Sequence, residues 1–315
     1  MNKKDLRIVF MGTPEFAVES LRALVEGGYN VVGVITMPDK PAGRGHKFRY
    51  SAVKEYALSQ NLPLLQPEKL KDEDFLASLR GWKADMQIVV AFRMLPEIVW
   101  DMPEQGTFNL HASLLPQYRG AAPINWAIIN GEKETGATTF FLTHEIDTGK
   151  IILQKKLEIH EDDNAGTIHD KLMTLGAKMV TETVDLVIEN KVEAIPQEEW
   201  NGDEKLKPAP KIFKDTCELK FDMNVSDAHN FVRGLSPYPA AWAEVLFPQL
   251  SERINMKFFE TLPEKQKHAY PPGTIIVDGK KSAKIALTDG FLHLIEIQAP
   301  GKKRMNIVDF LNGLK

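Results

Sequence analysis

Two polar side chains interrupt the short, otherwise apolar stretch FNLHA at residues 108–112. Asn109 and His111 are two positions apart, so in an extended segment both side chains point to the same face. Asp147 lies in EIDTGKI (residues 145–151), in a predicted turn before a strand. A carboxylate from a neighbouring strand end can orient the imidazole and stabilise its protonated form. An amide beside such an imidazole gives a pair of donors suited to an oxygen that acquires negative charge.

No recognisable protein nucleophile accompanies these three residues. The single cysteine, Cys217, lies far along the chain, and neither a G-x-S-x-G pattern nor a phosphate-binding loop is present. An Asn, a His and an Asp without a nucleophile indicate that one substrate attacks the carbonyl carbon of another directly. Each residue alone also fits a structural role, because a His in a strand or an Asp-Thr-Gly turn is common. The residues by themselves therefore leave both interpretations open.

The first half of the chain alternates predicted strands and helices, which is typical of a mainly parallel α/β sheet. In such a sheet the ligand site lies beyond the carboxyl ends of the strands. A short strand is predicted at residues 107–110 and a long helix from about 165 to 190. The other predicted strands are RIVFMG, YNVVGVIT, PLLQ, MQIVVAF, ATTFFLT and KIILQKKLEI, and the other predicted helices are PEFAVESLRALVEGG, SAVKEYALSQ, DEDFLASLRGW and AAPINWAIIN.

The second half of the chain has a different pattern. Residues 196–210 contain three prolines, many charges and few apolar side chains, so we predict a linker there between a domain at 1–195 and a domain at 211–315. Short strands separated by turn residues, with one helix at SDAHNFVRGL, indicate a small barrel or sandwich. The predicted strands are CELKF, WAEVLF, RINMKFFE, GTIIVD, AKIALT and FLHLIEI.

Composition and charge restrict the function classes. With Cys217 as its only cysteine, the chain can form neither a disulfide framework nor a cysteine-based zinc site. We expect a soluble cytoplasmic protein, because no apolar run reaches the length of a membrane span. Residues 1–204 contain 22 Lys and Arg against 31 Asp and Glu, whereas residues 205–315 contain 17 against 12. This asymmetry favours a polyanionic partner for the second domain, although incidental surface variation would also produce it.

Several motifs together resemble one known family, the folate-dependent formyltransferases. The stretch HASLLPQYRGAAPINWAI is similar to the SLLPxYRGAAP signature of that family. MGTPEFAVESLRAL, PDKPAGRG, the Asn109–His111 pair and Asp147-Thr148-Gly149 follow in the order found in members that act on methionyl-tRNA. The similarity continues more faintly through KIFKDTCELKF and NFVRGLSPYPAAW. The resemblance implies a Rossmann-like formyltransferase domain followed by a small OB-like β-barrel domain that binds tRNA.

The resemblance also implies an activity and its residues. The family transfers a formyl group from 10-formyltetrahydrofolate, and we expect the acceptor to be the amino group of methionine on initiator tRNA. Asn109, His111 and Asp147 match the family's catalytic residues, and Arg44 matches an arginine on a loop that approaches the tRNA acceptor end. We expect a monomer that needs no metal. The segment predicted to bind the folate is Ser113, Leu114, Leu115 and Pro116.

Two alternatives to this activity stay open from the sequence. One is a formyltransferase that acts on the amine of a sugar nucleotide. The other is a non-catalytic RNA-binding protein. The basic second domain and the PAGRG loop argue against the first, and the presence of Asn109, His111 and Asp147 argues against the second.

Overall fold

The structure is a computed structural model that describes residues 2–42, 47–201 and 205–314. The chain forms two compact units. The first comprises Met1–Gly120, Gly136–Leu157 and His169–Pro208, and the second comprises Ala121–Thr135, Glu158–Ile168 and Ala209–Lys315. A mixed, mainly parallel sheet with helices in one unit and an antiparallel sheet in the other confirm the predicted fold class. The proposed domain limits at residues 195 and 211 stay a prediction.

The helices and strands follow the chain in the order predicted for an α/β protein that continues into a β domain. The strands are β1 Arg7–Gly12, β2 Asn30–Ile35, β3 Lys40–Ala42, β4 Lys47–Arg49, β5 Leu64–Leu65, β6 Met86–Val90, β7 Thr107–His111, β8 Glu134–Phe141, β9 Ile151–Glu158, β10 Ala241–Val245, β11 Ile254–Lys265, β12 Ile275–Asp278, β13 Ser282–Ala286, β14 Gly290–Gln298 and β15 Met305–Asn306. The helices are α1 Glu15–Glu26, α2 Ala52–Ser59, α3 Glu73–Gly81, α4 Glu97–Trp100, α5 Pro123–Ile129, α6 Ala165–Ile188, α7 Glu198–Asn201, α8 Val225–Leu235 and α9 Ile307–Gly313.

The sheet of the first unit has the strand order β5-β2-β1-β6-β7-β8-β9. β5, β2, β1, β6 and β7 pair in parallel, and β8 pairs antiparallel with β7. The chain therefore runs outward from β1 in one direction and then returns to build the sheet on the other side of β1. In parallel sheets this reversal of strand order creates the crevice in which ligands bind, at the carboxyl ends of the strands. β7 carries Asn109 and His111 toward that end.

Local chemistry explains where several helices of the first unit begin. The Ser51 hydroxyl accepts a hydrogen bond from the Lys54 amide and caps α2, and the Asp72 carboxylate accepts from two amides and caps α3. At the end of β1, Gly12 is required because a Cβ atom there would lie 2.6 Å from the Ala17 Cβ. This close approach lets α1 follow β1 directly. The turn read in the sequence as MGTPE therefore brings the helix tightly against the sheet.

The second unit contains the antiparallel sheet β10-β11-β14-β13-β12, with β15 paired to β14. Its core contains the fully buried rings of Phe247 and Phe258, and Asn224 caps α8 by accepting a hydrogen bond from the Asp227 amide. The predicted strand CELKF is wrong. Of its residues, only Glu218 pairs, in an isolated parallel bridge with Trp242. Cys217 ends a 3₁₀ helix, Lys214–Cys217, which the Thr216 side chain closes by bonding both backbone groups of Phe213.

Candidate active site

His111 lies at the end of β7 with its ring held by the backbone. Its side chain is 8% exposed, and its Nε2 atom lies 2.9 Å from the carbonyl oxygen of Tyr118. A carbonyl oxygen only accepts hydrogen bonds, so Nε2 carries the hydrogen. The other ring nitrogen, Nδ1, faces Asp147 and lies 3.9 Å from its Oδ2 atom. At this distance no direct hydrogen bond joins the two groups.

Asp147 lies in the turn between β8 and β9. Its φ of 56° is in the left-handed region, which Asp adopts more readily than most side chains. Its carboxylate is 15% exposed, and Oδ2 accepts a hydrogen bond of 3.0 Å from the Gly120 amide. Within the described residues, Oδ1 makes no hydrogen bond. The turn has its shape because Gly149 has no side chain, since a Cβ atom there would lie 1.6 Å from the Phe141 carbonyl oxygen.

Asn109 shares the face of β7 on which His111 lies, as the alternation of side chains predicts. It is opposite Val89 of β6 and Phe140 of β8, and it is half-buried among strands that are otherwise apolar. Among the residues that the structure describes, none forms a hydrogen bond with its amide group. Asn109 therefore has both amide hydrogens available for a bound molecule, whereas the Nε2 hydrogen of His111 is already donated.

The segment Ser113–Pro116 is fixed by one buried hydroxyl on β8. Thr138 Oγ1 donates to the Ser113 carbonyl at 2.7 Å and accepts from the Leu115 amide at 3.2 Å. Gln154 Nε2 donates to the same hydroxyl and to the Leu115 carbonyl. The segment thus has a defined backbone course beside the end of β7.

The side chains of this segment differ in accessibility. Ser113 is fully buried and donates its hydroxyl to the Gln117 carbonyl, and Leu115 packs in an apolar cluster with Phe140 and Ile151. Pro116 is also buried. Leu114 is half-buried and covers Gly136, where a Cβ atom would lie 2.4 Å from the leucine. The folate-binding role of Ser113, Leu114, Leu115 and Pro116 stays a prediction, and Leu114 is the most accessible of the four side chains.

Arg44 lies outside the described residues, so its predicted role at the tRNA stays a prediction. The chain on either side of it pairs as the antiparallel strands β3 and β4. Near the start of this hairpin, Lys54 Nζ lies 2.5 Å from Asp39 Oδ2, and Gln66 donates to the other carboxylate oxygen. These hydrogen bonds, the one from Lys54 first, hold the pKa of Asp39 below its usual value. The hairpin therefore begins from a fixed, ion-paired residue.

Two residues that the sequence analysis did not single out contact the site. Gln197 is fully buried, and its side chain bonds the backbone of the turn that carries Asp147. Arg119, next to Gly120, donates two hydrogen bonds to Gln197. The sequence offered no local signal for Gln197, because it lies in the proline-rich, charged segment predicted as a linker.

Neither a metal centre nor a membrane span is found in the part of the chain that the structure describes. Over residues 2–42, 47–201 and 205–314, no three His, Cys, Asp or Glu side chains group in a way that would hold a metal ion. No helix in these ranges is both long enough and apolar enough to cross a membrane.

Comparison with known protein families gives matches along nearly the whole chain. Residues 6–184 match the model of the formyl transferase family, and residues 211–315 match that of the formyl transferase C-terminal domain. The methionyl-tRNA formyltransferase of Parabacteroides distasonis is 64% identical over 317 residues, covering 100% of this chain and 98% of the relative. That of Bacteroides thetaiotaomicron is 62% identical over 315 residues, covering 100% of this chain and 98% of the relative.

Solved structures of more distant proteins share the fold. The sugar 3N-formyl transferase WlaRD, crystallised with dTDP and 5-N-formyl-THF, gives a TM-score of 0.65 at 19% identity, over 95% of this chain and 99% of that one. HypX from Aquifex aeolicus in complex with tetrahydrofolic acid gives a TM-score of 0.64 at 17% identity, over 98% of this chain. The chain spans only 47% of HypX. At these identities the likeness concerns the fold alone.

Proposed function

The chain belongs to the formyl transferase family, and we propose that it transfers a formyl group from 10-formyltetrahydrofolate to the free amino group of methionyl-initiator tRNA, for translation initiation. The observation that carries the proposal is the convergence of Asn109, His111 and Asp147 at the end of β7, with 3.9 Å between His111 Nδ1 and Asp147 Oδ2. Relatives more than 60% identical over the whole chain bear the name of this activity.

The residues present fit a folate formyl donor. When bound, 10-formyltetrahydrofolate supplies the one-carbon group. Asn109 offers a free amide for its formyl oxygen, and Leu114, in the segment that follows β7, offers half-buried apolar surface. Ligand sites typically combine such apolar walls with a few fixed polar groups.

Asn109 stabilises the charge that develops on the formyl oxygen by direct donation from its amide. From the sequence alone this role was expected of Asn109 and His111 together. The Nε2–H of His111 is already donated to Tyr118, so its contribution is the positive charge of the ring once Nδ1 is also protonated. One preorganised donor of this kind lowers the barrier by about 2.7–4 kcal/mol.

Asp147 accepts the proton that leaves the attacking amine. Its Oδ2 is held by the Gly120 amide, and the other carboxylate oxygen is available. A proton held at Nδ1 of His111, which faces this carboxylate, would pass to the folate nitrogen as its bond to the formyl carbon breaks. The proton taken up by Asp147 would then replace the one that His111 has given away. The three side chains thus provide a donor, a charge and a base without a covalent step on the protein.

The acceptor and the cellular location follow the same reasoning. We place the tRNA against Arg44 and the basic residues of 205–315, where Lys and Arg outnumber Asp and Glu by 17 to 12. Translation initiation places the enzyme in the cytoplasm, where it acts as a monomer. The predicted domain division, with residues 211–315 as the tRNA-binding part, belongs to this proposal.

A transfer assay with alternative acceptors tests the proposal. The protein is incubated with 10-formyltetrahydrofolate and either methionyl-initiator tRNA or an amino-sugar nucleotide, and the formylated products are separated. We expect formylmethionyl-tRNA and no formylated sugar. Transfer to the sugar nucleotide alone would show that the acceptor is a sugar amine and not methionyl-tRNA. Transfer to neither would contradict the formyltransferase assignment.

A further inference from the structure

We propose that Gln197 is a positioning residue that sets the distance between the Asp147 carboxylate and His111. This inference rests on the proposed function, in which Asp147 is the base. It concerns the turn Asp147–Gly149, which lies between β8 and β9. Gln197 itself touches neither substrate nor the reacting side chains, and it acts through the backbone of this turn.

The contacts of Gln197 are complete and leave its amide only one orientation. Nε2 donates to the Asp147 carbonyl at 2.9 Å and to the Gly149 carbonyl at 2.8 Å. Oε1 accepts from Arg119 Nε at 3.0 Å and from its guanidinium NH2 group at 2.6 Å. Exchanging the amide oxygen and nitrogen would set the oxygen against two carbonyls and the NH2 group against two donors. Both hydrogens and both lone pairs of the side-chain amide are thus used.

These contacts close a ring around the catalytic carboxylate. Arg119 holds Gln197, Gln197 holds the backbone of Asp147, and the Gly120 amide holds the carboxylate of Asp147 at 3.0 Å. Arg119 and Gly120 are neighbours in the chain, so the backbone and the carboxylate of Asp147 are fixed from the same segment. A carboxylate held at both ends has a defined place relative to Nδ1 of His111.

The position of Gln197 is itself well determined. It is fully buried, and the segment before it is joined to β9 by the pair of backbone hydrogen bonds between Ile151 and Ile195. A buried amide is costly unless each of its groups is paired, and this one is paired only with the turn and with Arg119. Loss of the hydrogen bonds from Gln197 therefore frees the turn while the surrounding sheet remains in place.

Three variants separate positioning from general stability. Gln197→Met keeps the volume and removes all four bonds. Gln197→Glu keeps the acceptor for Arg119 but sets a carboxylate oxygen, in place of the NH2 donor, against the two carbonyls of the turn. Thr183→Val is the matched control, because Thr183 is equally buried in the same unit and its bonds to Thr139 and Met179 do not touch the turn.

The readouts are kcat, the KM for 10-formyltetrahydrofolate, the pH profile of kcat, and the hydrogen-exchange rate of the Gly120 amide. A displacement of about 1 Å in a catalytic group costs about a hundredfold in rate, so we expect both Gln197 variants to lose about this factor in kcat. The donor KM should change little, the pH profile should move, and the Gly120 amide should exchange faster. Thr183→Val should leave all four unchanged.

The inference would be overturned if Gln197→Met had the kcat, the pH profile and the Gly120 exchange rate of the wild type. It would also be overturned if Thr183→Val lost as much kcat as the Gln197 variants. Should Gln197→Met fail to fold, Gln197→Glu decides the question with the same readouts. An inactive wild-type protein would instead contradict the proposed function. In that case the exchange rate of the Gly120 amide in Gln197→Glu still shows whether Gln197 fixes the turn.

Discussion

Replacing Thr138 by Val should loosen the segment predicted to bind the folate. Valine has nearly the same shape but lacks the hydroxyl that holds this segment to β8. The change leaves the Ser113 carbonyl and the Leu115 amide without their bonds to Oγ1, which measure 2.7 and 3.2 Å. Gln154 loses one acceptor but keeps the Leu115 carbonyl.

The neighbouring residue provides a control of the same chemistry. Thr139 is as fully buried as Thr138, but its hydroxyl bonds only the hydroxyl of Thr183, which also donates to the Met179 carbonyl. Each buried group left unpaired costs about 1–3 kcal/mol, so Thr138→Val should lower the free energy of unfolding by about 2–6 kcal/mol. Thr139→Val removes one hydrogen bond and should cost about 1 kcal/mol.

Denaturant unfolding of both variants measures these costs, and steady-state kinetics measure the KM for 10-formyltetrahydrofolate. We expect Thr138→Val to be the less stable of the two and to have the higher KM, while Thr139→Val keeps the KM of the wild type. Equal unfolding free energies in the two variants would refute the hydrogen-bond reasoning. An unchanged KM in a clearly destabilised Thr138→Val would show that residues 113–116 do not form the folate site.

Three further predictions concern other parts of the molecule. Leu114→Gln should weaken binding of 10-formyltetrahydrofolate without unfolding the protein, because Leu114 is only half-buried; unchanged binding by calorimetry would place the pocket elsewhere. Arg44→Ala should weaken binding of methionyl-tRNA and leave donor binding intact. It should reduce the slope of log binding constant against log salt concentration by about 0.7–0.9. A reaction that does not depend on salt would contradict a contact between Arg44 and a phosphate. Burial, followed by the charge of Arg233, lowers the pKa of His229 from 6.5 to about 4. Between pH 6.5 and about 4 the unfolded chain binds a proton at His229 that the folded protein does not bind, so the free energy of unfolding should fall as the pH drops through this range. It should fall less steeply in His229→Gln, and identical pH slopes of the unfolding free energy in this variant and the wild type would contradict the prediction.

Much of the α/β unit could be predicted because its signals are local. The apolar runs that became β1 and β6 are buried strands, and the run that became β2 is buried over its second half. The capping residues and glycines mark where the helices begin and end. The shared face of Asn109 and His111 follows from side-chain alternation alone. Their proximity to Asp147 was expected from neighbouring strand ends, and the structure has the carboxylate beside the His111 ring, on the turn that follows β8.

Other features depend on contacts between distant parts of the chain. Gln197 lies 50 residues from Asp147 and 48 from Gly149, and nothing in its charged, proline-rich surroundings indicates a buried amide. The apolar pattern of CELKF predicted a strand, but of these residues only Glu218 pairs, with Trp242, directly after a 3₁₀ turn that sequence periodicity does not reveal. The donation of His111 Nε2 to Tyr118 likewise depends on the course of the chain after β7.

Single-turnover formyl transfer to methionyl-initiator tRNA, measured at saturating 10-formyltetrahydrofolate, tests the catalytic assignment most directly. The comparison is between the wild type, Asn109→Ala and His111→Ala, with donor binding measured in parallel. We predict that each substitution lowers the rate of transfer by about a hundredfold or more while the affinity for the donor changes little. A transfer rate near that of the wild type in both variants would contradict the assignment.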